Sequence, residues 1–119
     1  MKGLIVKQPW IDGILDGRKV WEIRGSRTTI RGPIALIQSG SGLVMGVVDL
    51  VDCLALTPED YWSATALHRI PDPAQQPLPY RQIYAWVLEH PKRFATPHPY
   101  QHPPGAVIWV NLPSLDLAH

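Results

Sequence analysis

The sequence predicts an α+β fold: a small mixed β-barrel of about six strands with two short helices. Three observations carry this expectation. Apolar runs of strand length recur along the chain and are rich in Val, Ile, Leu and Trp. Two short segments instead carry helix start and stop signals. The 13 prolines gather between these segments, as expected of short strands joined by stiff loops.

Taken in order, residues 3–7 read as a strand around Leu4-Ile5-Val6. A helix of about two turns follows over 9–16. Pro9 suits its first turn, Trp10, Ile11, Ile14 and Leu15 share one side, and Gly17 suits the left-handed position that ends it. Residues 19–24 alternate as a strand, with Trp21 and Ile23 on one face and Glu22 and Arg24 on the other. Residues 33–39 and 43–54 read as further strands around the turn Gly40-Ser41-Gly42. The second of these is apolar on both faces apart from Asp49 and Asp52, which predicts a central position. Thr57-Pro58-Glu59-Asp60 is a capped helix start with acids facing the positive end of the dipole, and predicts a helix over 58–68. Residues 71–79 and 96–104 each hold four prolines and read as loops, with strands predicted at 83–89 and 105–111.

A length of 119 residues fits one domain, expected over residues 1–112 with a frayed tail over 113–119. No apolar run approaches the ~20 residues of a membrane helix, and the first residues lack the pattern of a signal peptide. Cys53 is the only cysteine, so no intramolecular disulfide is possible. It is expected as a buried, inert thiol, and a reducing, cytoplasmic setting follows. The formal net charge is only +1, but residues 1–35 hold seven basic and three acidic side chains. That excess of four positive charges predicts a face suited to an anion, unless the cations are spread over a solvated surface.

The densest chemistry lies in Lys7-Gln8-Pro9-Trp10 and in Gly17-Arg18-Lys19-Val20-Trp21-Glu22-Ile23-Arg24, which flank the first helix. Cations bind phosphate and aromatic faces stack bases, and single-stranded RNA recognition uses both. Lys7, Lys19, Arg24 and Arg27 are candidate phosphate contacts, Gln8 a candidate reader of a base edge, and Trp10 or Trp21 candidate pocket walls. The competing structural roles are core packing for both tryptophans and, for Lys19 and Glu22, an ion pair worth about 0–1 kcal/mol if exposed. His98 and His102 have the spacing of a helical metal pair, but Pro97, Pro99, Pro103 and Pro104 forbid the helix, so no metal site is expected. No glycine-rich phosphate loop or nucleophile elbow is present, and no cofactor is expected.

These same segments resemble the ASCH family. The pattern Lys7-Gln8-Pro9-Trp10, a short helix, then Gly17-x-Lys19-x-x-Glu22-x-Arg24 is similar to its opening signature. The likeness continues through Arg31-Gly32-Pro33-Ile34-Ala35-Leu36, Gly46 to Cys53, Tyr84 to Glu89, Phe94 and Gly105 to Val110. In motif it is most similar to the ASCH domain of eukaryotic transcription coactivators. The resemblance implies a PUA-like barrel with a cleft beside the first helix, faced by Lys19 and bordered by Ser39. It implies RNA, single-stranded nucleic acid or a modified nucleoside as partner. The alternative it implies is a hydrolase in the same cleft, either an N4-acetylcytidine amidohydrolase or a ribonuclease. Lys19 and Glu22 are then the candidate catalytic groups, as base or oxyanion stabiliser and as general base for water. In the amidohydrolase branch a Thr stands at the position of Glu22, and a carboxylate cannot act as that hydroxyl nucleophile.

Overall fold

A computed structural model of the chain describes residues 1–113, so the frayed tail expected over 113–119 lies, apart from Pro113, outside the described residues. Strand β1 (Lys2–Val6) leads into helix α1 (Trp10–Leu15). Strands β2 (Trp21–Arg24), β3 (Gly32–Gln38) and β4 (Leu43–Leu56) follow. Two short helices, α2 (Pro58–Ser63) and α3 (Thr65–His68), precede a single 3-10 turn at Pro73–Gln75. Strands β5 (Ile83–Pro99) and β6 (Trp109–Asn111) complete the fold.

The six strands form one mixed sheet in the order β2-β5-β4-β3-β1-β6. The pair β1–β3 is parallel and every other pair is antiparallel. As expected, β4 is central, although its buried positions alternate only as far as Leu50. The sheet curls but does not close into a hydrogen-bonded barrel, because the edges β2 and β6 are not paired. These edges are short, at four and three residues respectively. Side chains bridge the gap instead. Ile5 donates its N–H to Ile108 O at 2.9 Å, and its carbonyl, past the start of β6, accepts from Arg24 Nη2 at 2.9 Å. The rings of Trp86 on β5 and Trp109 on β6 stack at 5.7 Å.

The concave side of the curl holds the main core, in which Ile11, Ile14 and Leu15 of α1 pack on Leu4, Leu36, Val48, Leu50, Trp86 and Leu88. Helix α1 ends as the sequence predicts, with Gly17 at φ +80°. Arg93 fastens its exposed side to β5 by bonds to Asp12 and Asp16. Gly46 sits where β4, β5 and α1 meet, and a Cβ there overlaps the Lys92 carbonyl and Leu15. Cys53 is half-buried rather than fully buried. Among the described residues, no helix is long and apolar enough to cross a membrane.

Strand β2 begins at Trp21, not at residue 19, and three larger departures from expectation stand beside it. The helix predicted over 58–68 keeps its cap, a reciprocal Thr57–Asp60 capping box, but breaks at Ala64. The Tyr61 carbonyl accepts from the Ala64 N–H at 3.3 Å, a tightened last turn, and also from His68 Nε2 at 2.8 Å. Strand β5 runs on to Pro99 through a segment predicted as loop. Beyond Val87 it no longer pairs with β2, and its pairing with β4 shifts register three times, so the prolines remove no essential ladder bond. The last strand begins at Trp109, not Gly105, because Gly105 sits in a turn at φ +80°.

Candidate functional site

A cleft of about 400 Å³ opens beside α1, where the curl brings the ends of β1, β2 and β3 together. Lys7 from the end of β1, Trp10 from α1, Glu22 and Arg24 from β2 and Ser39 after β3 line it, together with Lys19. Six of the sequence-predicted residues therefore converge. The other three lie elsewhere. Gln8 is exposed and donates to Gln38 Oε1 at 3.0 Å. Trp21 packs beside Ile23, Tyr61, Ile83 and Ala85, in the core role weighed for it. Arg27 is exposed and sits over the Tyr84 ring at 5.6 Å.

The floor of the cleft is a buried charge cluster, and here the expectation of an exposed ion pair is overturned. Lys19 is 2% exposed and Glu22 is 6% exposed. The local chain explains this. After Gly17 turns the chain back, Lys19 donates its N–H to Gly13 O at 2.9 Å and lies against α1. A Cβ on Gly13 would stand 3.3 Å from Lys19 Cβ, so glycine leaves the space that the lysine stem fills. Lys19 Nζ then donates to His68 O at 2.6 Å, stands 3.7 Å from Glu22 Oε1 and hangs 5.0 Å from the centre of the Trp10 ring. Glu22 also accepts from Arg24, at 2.8 Å from Nη2 and 3.2 Å from Nε. One carboxylate thus serves two cations. Burial lowers the Lys19 pKa from its ordinary 10.5, and the Glu22 carboxylate pulls the other way.

His68, wholly buried, supports this floor. Its Nδ1 accepts from Ile70 N–H at 3.0 Å, so the ring is neutral with its proton on Nε2, which donates to Tyr61 O. The imidazole stacks on Tyr61 at 4.7 Å. Burial pushes its pKa below the ordinary 6.5.

The cation excess of the first third does not make a uniformly basic surface. Arg18, Lys19, Arg24 and Arg31 each have a carboxylate within 4 Å. Among the described residues, Lys7 is the one cleft cation without such a partner. Sequence reasoning missed the far wall, made by Tyr61, Ile70, Pro77, Pro79, Tyr80 and Val107. The signal available for it was the proline-rich 71–79 stretch ending in an aromatic residue, which reads as a connector when taken alone.

The geometry agrees with comparisons to known proteins. The model of the ASCH domain matches residues 4–98. The crystal structure of an ASCH protein from Zymomonas mobilis superposes with a TM-score of 0.65 at 13% identity, covering 77% of this chain and 68% of that one. A Tyr-to-Phe variant of that protein gives 0.73 at 14% identity, covering 92% and 89%. A Ser-to-Ala variant gives 0.72 at 14%, covering 92% and 87%. No curated protein matches the chain. At these identities the structural likeness speaks for the fold, and the family model speaks for descent: the chain belongs to the ASCH domain family.

Proposed function

We infer that the cleft binds one nucleotide unit, either of single-stranded RNA or as a free modified nucleotide. The observation that carries this reading is a cleft of about 400 Å³ in which aromatic rings stand beside polar groups of both signs. That volume lies in the range of small-molecule sites. Lys7 and Ser39 at the mouth suit a phosphate, and the Lys19–Glu22–Arg24 floor offers donors and acceptors to the edge of a base. Fluorescence anisotropy with short RNA oligomers tests it. Three or so phosphate contacts give a log–log salt slope of about −2, but Lys7, the one cleft cation without a carboxylate partner among the described residues, gives about −0.7. Lys7→Ala abolishes that slope. Salt-independent wild-type binding, or no binding at all, refutes the reading.

The buried Lys19 amine, held 3.7 Å from Glu22 in the cleft floor, favours a second reading as a hydrolase. A desolvated amine with a lowered pKa is suited to proton transfer, and Glu22 to activating water. Incubation with N4-acetylcytidine and with RNA, followed by chromatography, distinguishes the two. A hydrolase shows products, and Glu22→Gln, assayed where it remains folded, loses turnover about 100-fold or more. A pure binder shows none.

A further inference from the structure

The nucleotide reading leaves open which ring the base meets, and the sequence pointed to Trp10 or Trp21. The structure points elsewhere. Three aromatic residues line the cleft: Trp10, Tyr61 and Tyr80. Tyr61 is 3% exposed, and one face of its ring is spent on His68. Trp10 is half-buried against the main core and carries the Lys19 ammonium over its ring. Tyr80 is 41% exposed and, among the described residues, stacks on no other ring.

Tyr80 is nonetheless held. A Cβ built on Gly25 would lie 2.6 Å from its Cδ1, 3.0 Å from Cγ and 3.2 Å from Cε1. The ring therefore rests against the backbone at the end of β2, one residue after Arg24. Gly25 does not have a positive φ, so its lack of a side chain serves space and not backbone conformation. From the other side, the loop delivering Tyr80 contains Pro71, Pro73, Pro77 and Pro79, includes a 3-10 turn, and is cross-tied by Gln76 Nε2 to Pro71 O at 2.8 Å. A ring seated on one side, exposed on the other and carried by a stiff loop needs little ordering when a ligand arrives.

We propose that Tyr80, seated on Gly25, is the platform on which the planar base of the ligand stacks. The inference rests on the nucleotide reading of the cleft and adds the ring that reads the base. Trp10 then serves the Lys19 ammonium and the core. Stacking of this kind discriminates a ligand with a base from one without it, and only weakly among bases.

The test uses the full chain with three probes: adenosine 5′-monophosphate, cytidine 5′-monophosphate and ribose 5-phosphate, titrated by calorimetry. Tyr80→Ala is expected to weaken both nucleotides by about 5- to 100-fold and to leave ribose 5-phosphate unchanged. Tyr80→Phe stays within about 2-fold of wild type, since the ring does the work. Gly25→Ala, which leaves Tyr80 in place chemically but displaces its ring, weakens nucleotides as Tyr80→Ala does. The double variant is no weaker than Tyr80→Ala alone. Nucleotide affinity unaltered by Tyr80→Ala overturns this inference and leaves the nucleotide reading standing. Tyr80→Phe as weak as Tyr80→Ala, or additive losses in the double variant, also overturns it. Absence of wild-type binding to all three probes overturns both.

Discussion

Glu22 holds two cations, whereas each cation has a second partner, and this asymmetry can be measured. Replacing Glu22 with Gln keeps the shape but removes the one carboxylate that, among the described residues, compensates the buried Lys19 and the partly buried Arg24. Breaking a buried pair by removing one partner costs about 3–5 kcal/mol. Arg24 retains some solvent contact, so the lower end, about 3 kcal/mol, is expected here. For a chain of this size that shifts the thermal midpoint by roughly 10 °C. Lys19→Met behaves differently. The thioether fills much of the space of the lysine stem, and Glu22 keeps both bonds to Arg24. The main loss is the 2.6 Å bond to the His68 carbonyl, worth about 1.5–3 kcal/mol for a charged donor, with the longer contacts to Glu22 and the Trp10 ring. Relief of the desolvation that lowers the Lys19 pKa offsets most of it. A net loss of about 1 kcal/mol or less follows. Thermal and urea melts of the two variants at pH 7 decide the matter. If Lys19→Met is as damaging as Glu22→Gln, or Glu22→Gln is harmless, the carboxylate is not the hub of the cluster.

Two further outcomes follow from the packing. Gly46→Ala drives a methyl group into the Lys92 carbonyl and to 2.7 Å from Leu15 Cδ2, and since one obstacle is backbone it should destabilise by about 1–3 kcal/mol or more; an unchanged melting midpoint would mean that the β4–β5–α1 junction can give. Stability should also fall with acid through His68, whose buried ring is neutral in the fold because Nδ1 is an acceptor. Burial, and then the Lys19 charge, set its pKa below 6.5, so the unfolded chain takes up the proton first. Its contribution is complete above pH 6.5 and is lost as pH falls through the lower folded value. Urea titrations from pH 7.5 to 5.5 should show a steeper decline for wild type than for His68→Asn, whose amide oxygen replaces the Nδ1 acceptor without titrating; parallel curves would rule out the histidine as the source.

What was legible in the sequence was what is encoded locally. The Gly17 stop, the Thr57–Asp60 capping box and the central β4 run each depend on residues a few positions apart, and each is present. The strand ends and the true length of β5 were not legible, because a proline reads as a breaker unless the unpaired edge beside it is known. Lysine in an alternating strand reads as surface, so nothing short of the Gly13 notch hints that Lys19 is buried. The near wall of the cleft lies within residues 7–39 and was anticipated. Most of the far wall comes from residues 61–80 and reaches the cleft only because Tyr61, His68 and Ile70 are tied to one another and to Lys19.

Those ties explain why the cleft and the curl of the sheet cannot be separated. Arg24 spends one guanidinium nitrogen on both Glu22 and the Ile5 carbonyl, so the bond that bridges the open sheet edge also fixes the floor of the cleft. Its face lies over Trp86, 5.6 Å from the ring, and Trp86 in turn stacks on Trp109 of the opposite edge. A cation committed in this way is a poor phosphate ligand, since turning it outward would free the Ile5 carbonyl and leave Glu22 with only the longer contact to Lys19. The same reasoning applies to Lys19, held by His68 O. On the proposed nucleotide reading, charge neutralisation of a ligand falls to Lys7 at the mouth, and the buried cluster is left to supply direction: fixed donors and one fixed carboxylate that do not reorganise when a base edge arrives. The proposed reading therefore predicts shallow salt dependence and selection by hydrogen-bond pattern and ring stacking, not by net charge.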